Sequence, residues 1–110
     1  MGSRSATILC MIEVVWEFRV GIGREAEFEG LYNSDGAWAE LFHNNAKQYQ
    51  GTTLLRDGQD GTRYLTIDRW NSLESYHNFN QRFADAYAAL DKKCEALTES
   101  ERLIGIFNRV

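Results

Sequence analysis

Arg63-Tyr64-Leu65-Thr66-Ile67-Asp68-Arg69-Trp70-Asn71-Ser72-Leu73-Glu74-Ser75-Tyr76-His77-Asn78-Phe79 decides the reading of this chain. Leu65 and Ile67 alternate with Tyr64, Thr66 and Asp68, the period of two that a half-buried strand requires. The strand ends on Trp70 and turns at once into a helix. Asn71 or Ser72 can cap that helix, and Glu74 stands three residues after Asn71, as in a capping box. The unit sets Trp70, Tyr76 and Phe79 where a helix crosses a sheet face, a place that can hold an apolar ligand.

Upstream, the spacing predicts a hairpin. Tyr49 to Arg56 reads as a strand through Thr53, Leu54 and Leu55, and Asp57-Gly58-Gln59-Asp60-Gly61 reads as the turn, since both Asp-Gly pairs accept positive φ. The partner strand is Arg63 to Trp70. Nearer the N-terminus, Ile12, Val14, Trp16, Phe18 and Val20 alternate with Glu13, Val15, Glu17 and Arg19, a further strand that Gly21-Ile22-Gly23 breaks. Arg24 to Asn33 follows as a helix with Glu25 and Glu27 in its first turn, where the helix dipole favours them, and Phe28, Leu31 and Tyr32 on one face. Asn33-Ser34-Asp35-Gly36 interrupts it. A second short helix sets Trp38, Leu41 and Phe42 together with His43 beside them.

Downstream, Tyr76, Phe79, Phe83, Tyr87, Leu90, Cys94 and Leu97 keep one helical face apolar. Asn80-Gln81-Arg82 is the weakest stretch and marks a kink or a division into two helices. Arg102 to Val110 closes the chain as a strand. The order βααβ then βαβ, with an antiparallel hairpin between the halves, gives an α+β, ferredoxin-like four-stranded antiparallel sheet with helices on one face.

Composition sets the outer bounds. A chain of 110 residues, 44% hydrophobic and 25% charged, is expected to form one domain, residues 11–110, that buries roughly two thirds of its unfolded surface. Residues 1–10 read as a flexible N-terminal extension with no long apolar run. The net charge of -4 and the lack of a basic run argue against nucleic acid. No stretch nears the roughly 20 apolar residues that span a bilayer. Cys10 in the extension and Cys94 on the helical stripe make no disulfide framework, so a reducing, cytoplasmic setting is expected. The two His and two Cys show no zinc spacing, so no metal is expected. Gly21-Ile22-Gly23-Arg24 is no phosphate loop, and neither flavin nor nicotinamide has sequence support.

With those elements in place, the chain resembles the antibiotic biosynthesis monooxygenase superfamily from about Ile12 to Arg109. The resemblance rests on the first strand followed by Gly23-Arg24-Glu25-Ala26-Glu27-Phe28-Glu29, on Tyr49-Gln50-Gly51-Thr52-Thr53-Leu54-Leu55-Arg56-Asp57, and on Tyr64-Leu65-Thr66-Ile67-Asp68-Arg69-Trp70. The helix Tyr87-Ala88-Ala89-Leu90 with Cys94-Glu95-Ala96-Leu97-Thr98 adds to it. These signatures carry a fold more than a chemistry. The resemblance implies a dimeric α/β barrel and oxygenation, without a cofactor, of an aromatic, phenol-like small molecule: an apolar pocket, a base, and polar groups that hold the substrate anion.

On that reading His43 is the base and Tyr49 or Tyr87 holds the substrate oxygen, while Trp38, Phe42, Trp70, Phe79 and Phe83 form the walls. Each has a plainer alternative. His43 can be an exposed helix histidine, the aromatics can be core, and the tyrosine hydroxyls can reach backbone carbonyls. Asp68 and Arg69 read as a solvated or dimer-rim pair. The second functional reading is a non-catalytic barrel that binds a small apolar ligand or a partner. The third, haem degradation, meets a departure: Phe79 stands where that branch carries a Trp, and Tyr87 falls near the position of its iron-ligating histidine. A homodimer is expected. Helices cover one sheet face, and Val15, Leu103 and Phe107 put apolar side chains on strands that also carry Ile104 and Ile106 facing the opposite way.

Overall fold

The computed structural model describes residues 11–110; the N-terminal extension 1–10, with Cys10, lies outside them. Strand β1 (Ile12–Val20) leads to helices α1 (Glu25–Tyr32) and α2 (Ala37–Asn45), then to strands β2 (Tyr49–Asp57) and β3 (Asp60–Trp70). Helices α3 (Leu73–Arg82) and α4 (Ala84–Cys94) follow, then a short 3-10 turn (Glu95–Leu97) and strand β4 (Thr98–Asn108). The sheet order is β2-β3-β1-β4, and every neighbouring pair is antiparallel. This is the α+β, ferredoxin-like arrangement the alternating patterns predict.

Strand parity decides what the helices cover. Ile12, Val14, Trp16 and Phe18 pair across with Trp70, Asp68, Thr66 and Tyr64, and cross-strand partners share a face. Ile12, Val14, Phe18, Tyr64 and Trp70 are buried beneath Phe28, Tyr32, Trp38, Phe42 and Phe79 of the helices. The rings interlock, with Phe28 stacked on Tyr32 at 4.1 Å and Phe42 set edge-on to Trp70 at 5.5 Å and to Phe79 at 5.2 Å. The opposite face carries Val15, Leu65 and Ile67 together with arginine–carboxylate pairs. Arg63 Nε donates to Glu17 at 2.5 Å, and Arg102 also reaches Glu17.

Several local expectations shift. The long pattern after Leu73 divides at Phe83, which closes α3 and opens α4, so the kink falls one residue past Asn80-Gln81-Arg82. Ser72 is the cap of α3, and its box partner is Ser75 rather than Glu74: the Ser75 N–H donates to Ser72 Oγ, and the Ser72 N–H donates to Ser75 Oγ. The β2–β3 turn is tighter than predicted. Asp57 already pairs with Asp60, and Asp57 Oδ1 accepts the Gln59 N–H, which stabilises the turn without the positive φ expected of its glycines. Among the described residues only Gly23 and Gly51 have positive φ.

β4 begins at Thr98, four residues before the predicted start, because its first pairing is with Val20 at the far end of β1. The register skips Ile104, so Leu103 pairs with Trp16 and Ile106 with Val14. Leu103 thus shares the helix-side face with Ile106, where strict alternation would have opposed them. Phe107 stays on the open face, paired with Glu13, and is half exposed.

Candidate functional site

A cavity opens between the helices and the sheet. Its enclosed space is about 40 Å³ and reaches about 440 Å³ when the mouth open to solvent is included. Its floor is the sheet: Thr52 from β2, Thr66 and Asp68 from β3, Trp16 and Phe18 from β1. Its roof is Tyr32, Trp38, Phe42 and Tyr87, and Asp91 and Glu101 complete the rim.

Asp68 is the polar centre of the floor. A bulge in β2 between Tyr49 and Gly51, with Gly51 at φ 126°, turns both Tyr49 and Thr52 toward the helices. Thr52 Oγ1 donates to Asp68 Oδ1 at 2.5 Å, and the Tyr49 hydroxyl bonds Thr52 Oγ1. A threonine hydroxyl has one proton, already given to Asp68, so the Tyr49 O–H must donate to Thr52. The chain therefore runs one way, from a buried phenol through a buried hydroxyl to a carboxylate. Burial pushes the Asp68 carboxyl up to about 6, against the lowering effect of the Thr52 hydroxyl and the Arg69 charge. Burial also raises the Tyr49 and Tyr87 phenols, which keeps both protonated at neutral pH. Trp38 is 8% exposed, and its indole N–H is buried without a partner.

The residues singled out from sequence separate into groups. Trp38, Phe42 and Tyr87 line the cavity. Tyr49 is buried behind it and reaches it through Thr52. Trp70 and Phe79 are buried core residues and do not line it. Phe83 borders a polar depression beside α3. His43 does not face the cavity: it is exposed on α2 and lines an open groove of about 660 Å³ with Tyr49, Gln50 and Arg69. Position explains this, since Phe42 takes the inward face of α2 and the next residue is rotated about 100° away.

Sequence reasoning missed Asp68, reading it as a solvated or rim residue. The signal was present in strand parity. Tyr64, Thr66, Asp68 and Trp70 share one face, so an inward Trp70 requires an inward Asp68. Among the described residues no group of three or more His, Cys, Asp or Glu side chains is placed to hold a metal ion, and no helix is long and apolar enough to cross a membrane.

No family model matches the chain, and no curated protein sequence matches it. Solved structures do. A Bordetella bronchiseptica protein with the provisional name antibiotic biosynthesis monooxygenase superposes with a TM-score of 0.73 at 21% identity, covering 92% of this chain and 98% of its own. A Caulobacter crescentus protein with the same provisional name gives a TM-score of 0.72 at 17% identity, covering 94% of this chain and 92% of its own. SnoaB from Streptomyces nogalater, a cofactor-independent oxygenase, gives 0.66 at 23% identity, covering 92% of this chain and 94% of its own. At these identities the likeness establishes the fold, and it is the fold of the superfamily the sequence resembles.

Proposed function

We propose that this chain, which has the fold of the antibiotic biosynthesis monooxygenases, is a cofactor-independent monooxygenase acting on an aromatic, phenolic small molecule. The observation that carries the reading is Asp68: a carboxyl titrating near 6 on the floor of an aromatic cavity. A base poised just below neutrality suits removal of a proton from an acidic phenol or enol. The resulting anion is electron-rich enough to reduce dioxygen, and the aromatic roof keeps water from the reacting ring. The Tyr49–Thr52 chain orients the carboxylate. SnoaB, with the same fold, is a cofactor-independent oxygenase, which supports the reaction class.

The base in this reading is Asp68 in place of His43. Oxygen consumption with a panel of anthrones and hydroquinones tests it on the wild type, Asp68→Asn and His43→Ala. The expected result is turnover by the wild type and by His43→Ala, with loss of a factor of roughly a hundred to ten thousand in Asp68→Asn. Equal rates in wild type and Asp68→Asn would refute the assignment.

A second reading, a non-catalytic protein that binds a small ligand, is favoured by one observation. The enclosed 40 Å³ is far below the roughly 300–1,000 Å³ of ordinary ligand pockets. Specific binding of panel members without oxygen uptake would select it. We also propose a homodimer formed through the open sheet face, on half-buried Val15, Leu65 and Ile67 and exposed Phe107 between the ion pairs.

A further inference from the structure

The charge of the cavity is lopsided. Asp68, Asp91 and Glu101 line it, and no lysine, arginine or histidine does. Elsewhere on the sheet, carboxylates are matched: Glu17 and Asp57 bind Arg63, and Asp60 binds Arg19. Among the described residues none of the three cavity carboxylates is in an ion pair. Glu101 and Asp91 both line the rim, near enough for one charge to act on the other. Burial and the Asp91 charge both raise the Glu101 carboxyl, and no cation offsets them. Such an arrangement costs stability unless something positive enters it.

The walls suit a cation as well. Trp16, Trp38, Tyr32 and Tyr87 surround the space, with Trp38 and Tyr87 edge-to-face at 4.8 Å. Aromatic faces beside carboxylates are the usual chemistry for holding an organic ammonium. The third observation lies deeper. The Trp38 indole N–H, on a side chain more than nine-tenths buried, makes no well-formed hydrogen bond and lies beside the Tyr32 hydroxyl and the Cys94 thiol, so its signal reports on the inner end of the cavity that Tyr32 and Trp38 line. The enclosed space, about 40 Å³, is a few times the roughly 10–15 Å³ that one water needs, so an aromatic ring is held at the open mouth.

We infer that the mouth of the cavity selects an aromatic amine, with its ammonium beside Asp91 and Glu101 at the rim and its ring against Trp38 and Tyr87. The inference rests on reading this cavity as the ligand site, and it narrows the substrate class to cationic phenols over neutral or anionic ones.

Chemical-shift titration of the ¹⁵N-labelled protein tests it, following the Trp38 indole signal assigned with Trp38→Phe. Three probes share one phenol ring: tyramine, 4-ethylphenol and 3-(4-hydroxyphenyl)propionate. Tyramine is expected to bind about tenfold more tightly than 4-ethylphenol, and the propionate more weakly than either. In Asp91→Asn/Glu101→Gln, both at the rim, tyramine should fall to the affinity of 4-ethylphenol while 4-ethylphenol itself is unchanged. A dispersed spectrum of the double variant confirms its folding. Equal affinities for tyramine and 4-ethylphenol would overturn the inference, as would a preference that survives the double variant or the absence of any shift at Trp38. The oxygenase reading fails separately. Ammonium-selective binding without oxygen uptake removes the oxygenase and keeps the selectivity, whereas equal turnover of neutral and ammonium-bearing hydroquinones removes the selectivity and keeps the oxygenase.

Discussion

Replacing Asp68 with asparagine should stabilise the protein while disabling it. Asp68 titrates near 6 in the fold, against 3.8 when free, because the cavity floor penalises its charged form. For an acid the sign follows directly. Below pH about 3 the folded and unfolded chains both carry a neutral carboxyl, and Asp68 contributes nothing to pH dependence. As pH rises from there to about 6 the unfolded chain ionises first, so the fold loses stability. Above that the loss is complete, at about 3 kcal/mol. Asparagine has the same shape, never ionises, and its side-chain oxygen can still accept from Thr52. Asp68→Asn should therefore exceed the wild type by under about 1 kcal/mol near pH 4 and by up to about 3 kcal/mol at pH 7.5. Urea unfolding of both proteins across that range measures this, at one protein concentration because association couples to stability. Taking the difference between the two cancels the opposite slope from Glu17, Asp57 and Asp60, whose carboxyls are held low by arginine and hydrogen-bond partners. A difference that stays flat from pH 4 to 7.5 would show that Asp68 carries no raised pKa, and the proposed base would go with it.

Four further outcomes follow from the same geometry. The pH profile of kcat/KM should rise through about 6 and reach a plateau, since the carboxylate is the active form; a profile flat from pH 5 to 8 would exclude Asp68 as the base. Gly51→Ala should cost about 1–3 kcal/mol in denaturant unfolding, because φ 126° is a conformation an alanine resists; no loss would mean the bulge relaxes freely. Phe42→Ala should cost about 3–5 kcal/mol, since its ring meets those of Trp38, Tyr49, Trp70 and Phe79 at 5.2–6.1 Å; a loss under 1 kcal/mol would mean the core closes over the gap. Light scattering should return about twice the 12.7 kDa chain mass for the wild type and a single chain for Phe107→Glu, and a monomeric wild type would refute the proposed dimer.

Fold and site differ in how far the sequence reveals them. Periodicity places every strand and helix because core burial imposes it on many residues at once: the alternation from Ile12 to Val20 and the stripe from Tyr76 to Leu97 each repeat one signal. The adjustments lie where a single residue decides, such as the skipped Ile104 in β4, the Ser75 partner of Ser72, and the break at Phe83. The site is harder for the same reason. Histidine and tyrosine draw attention by type, yet His43 turns outward by one helical step while Asp68 turns inward by the parity of its strand. The Tyr49–Thr52–Asp68 chain depends on a bulge at Gly51, and an isolated glycine in a strand hints at a bulge without saying which side chains it re-aims. Asp91 and Glu101, ten positions apart, share the rim only because α4 and β4 flank the same opening.

The division at Phe83 bears on time rather than on shape. The Phe83 N–H still donates to Phe79 and its carbonyl still accepts from Tyr87, both at 2.9 Å, so the two helices are joined by a hinge that keeps its main-chain bonds. On one side α3 is anchored by buried Phe79; on the other, α4 is anchored by buried Cys94 at its far end, with Tyr87 and Leu90 packed on the core. The segment that carries Tyr87 and Asp91 to the cavity is thus a wall that can turn about Phe83. Its opening sets both how fast a ligand enters and how long it stays, since the same swing serves arrival and departure. A ligand that fills the cavity should then slow hydrogen exchange at the α4 amides, whose Tyr87 and Asp91 line it.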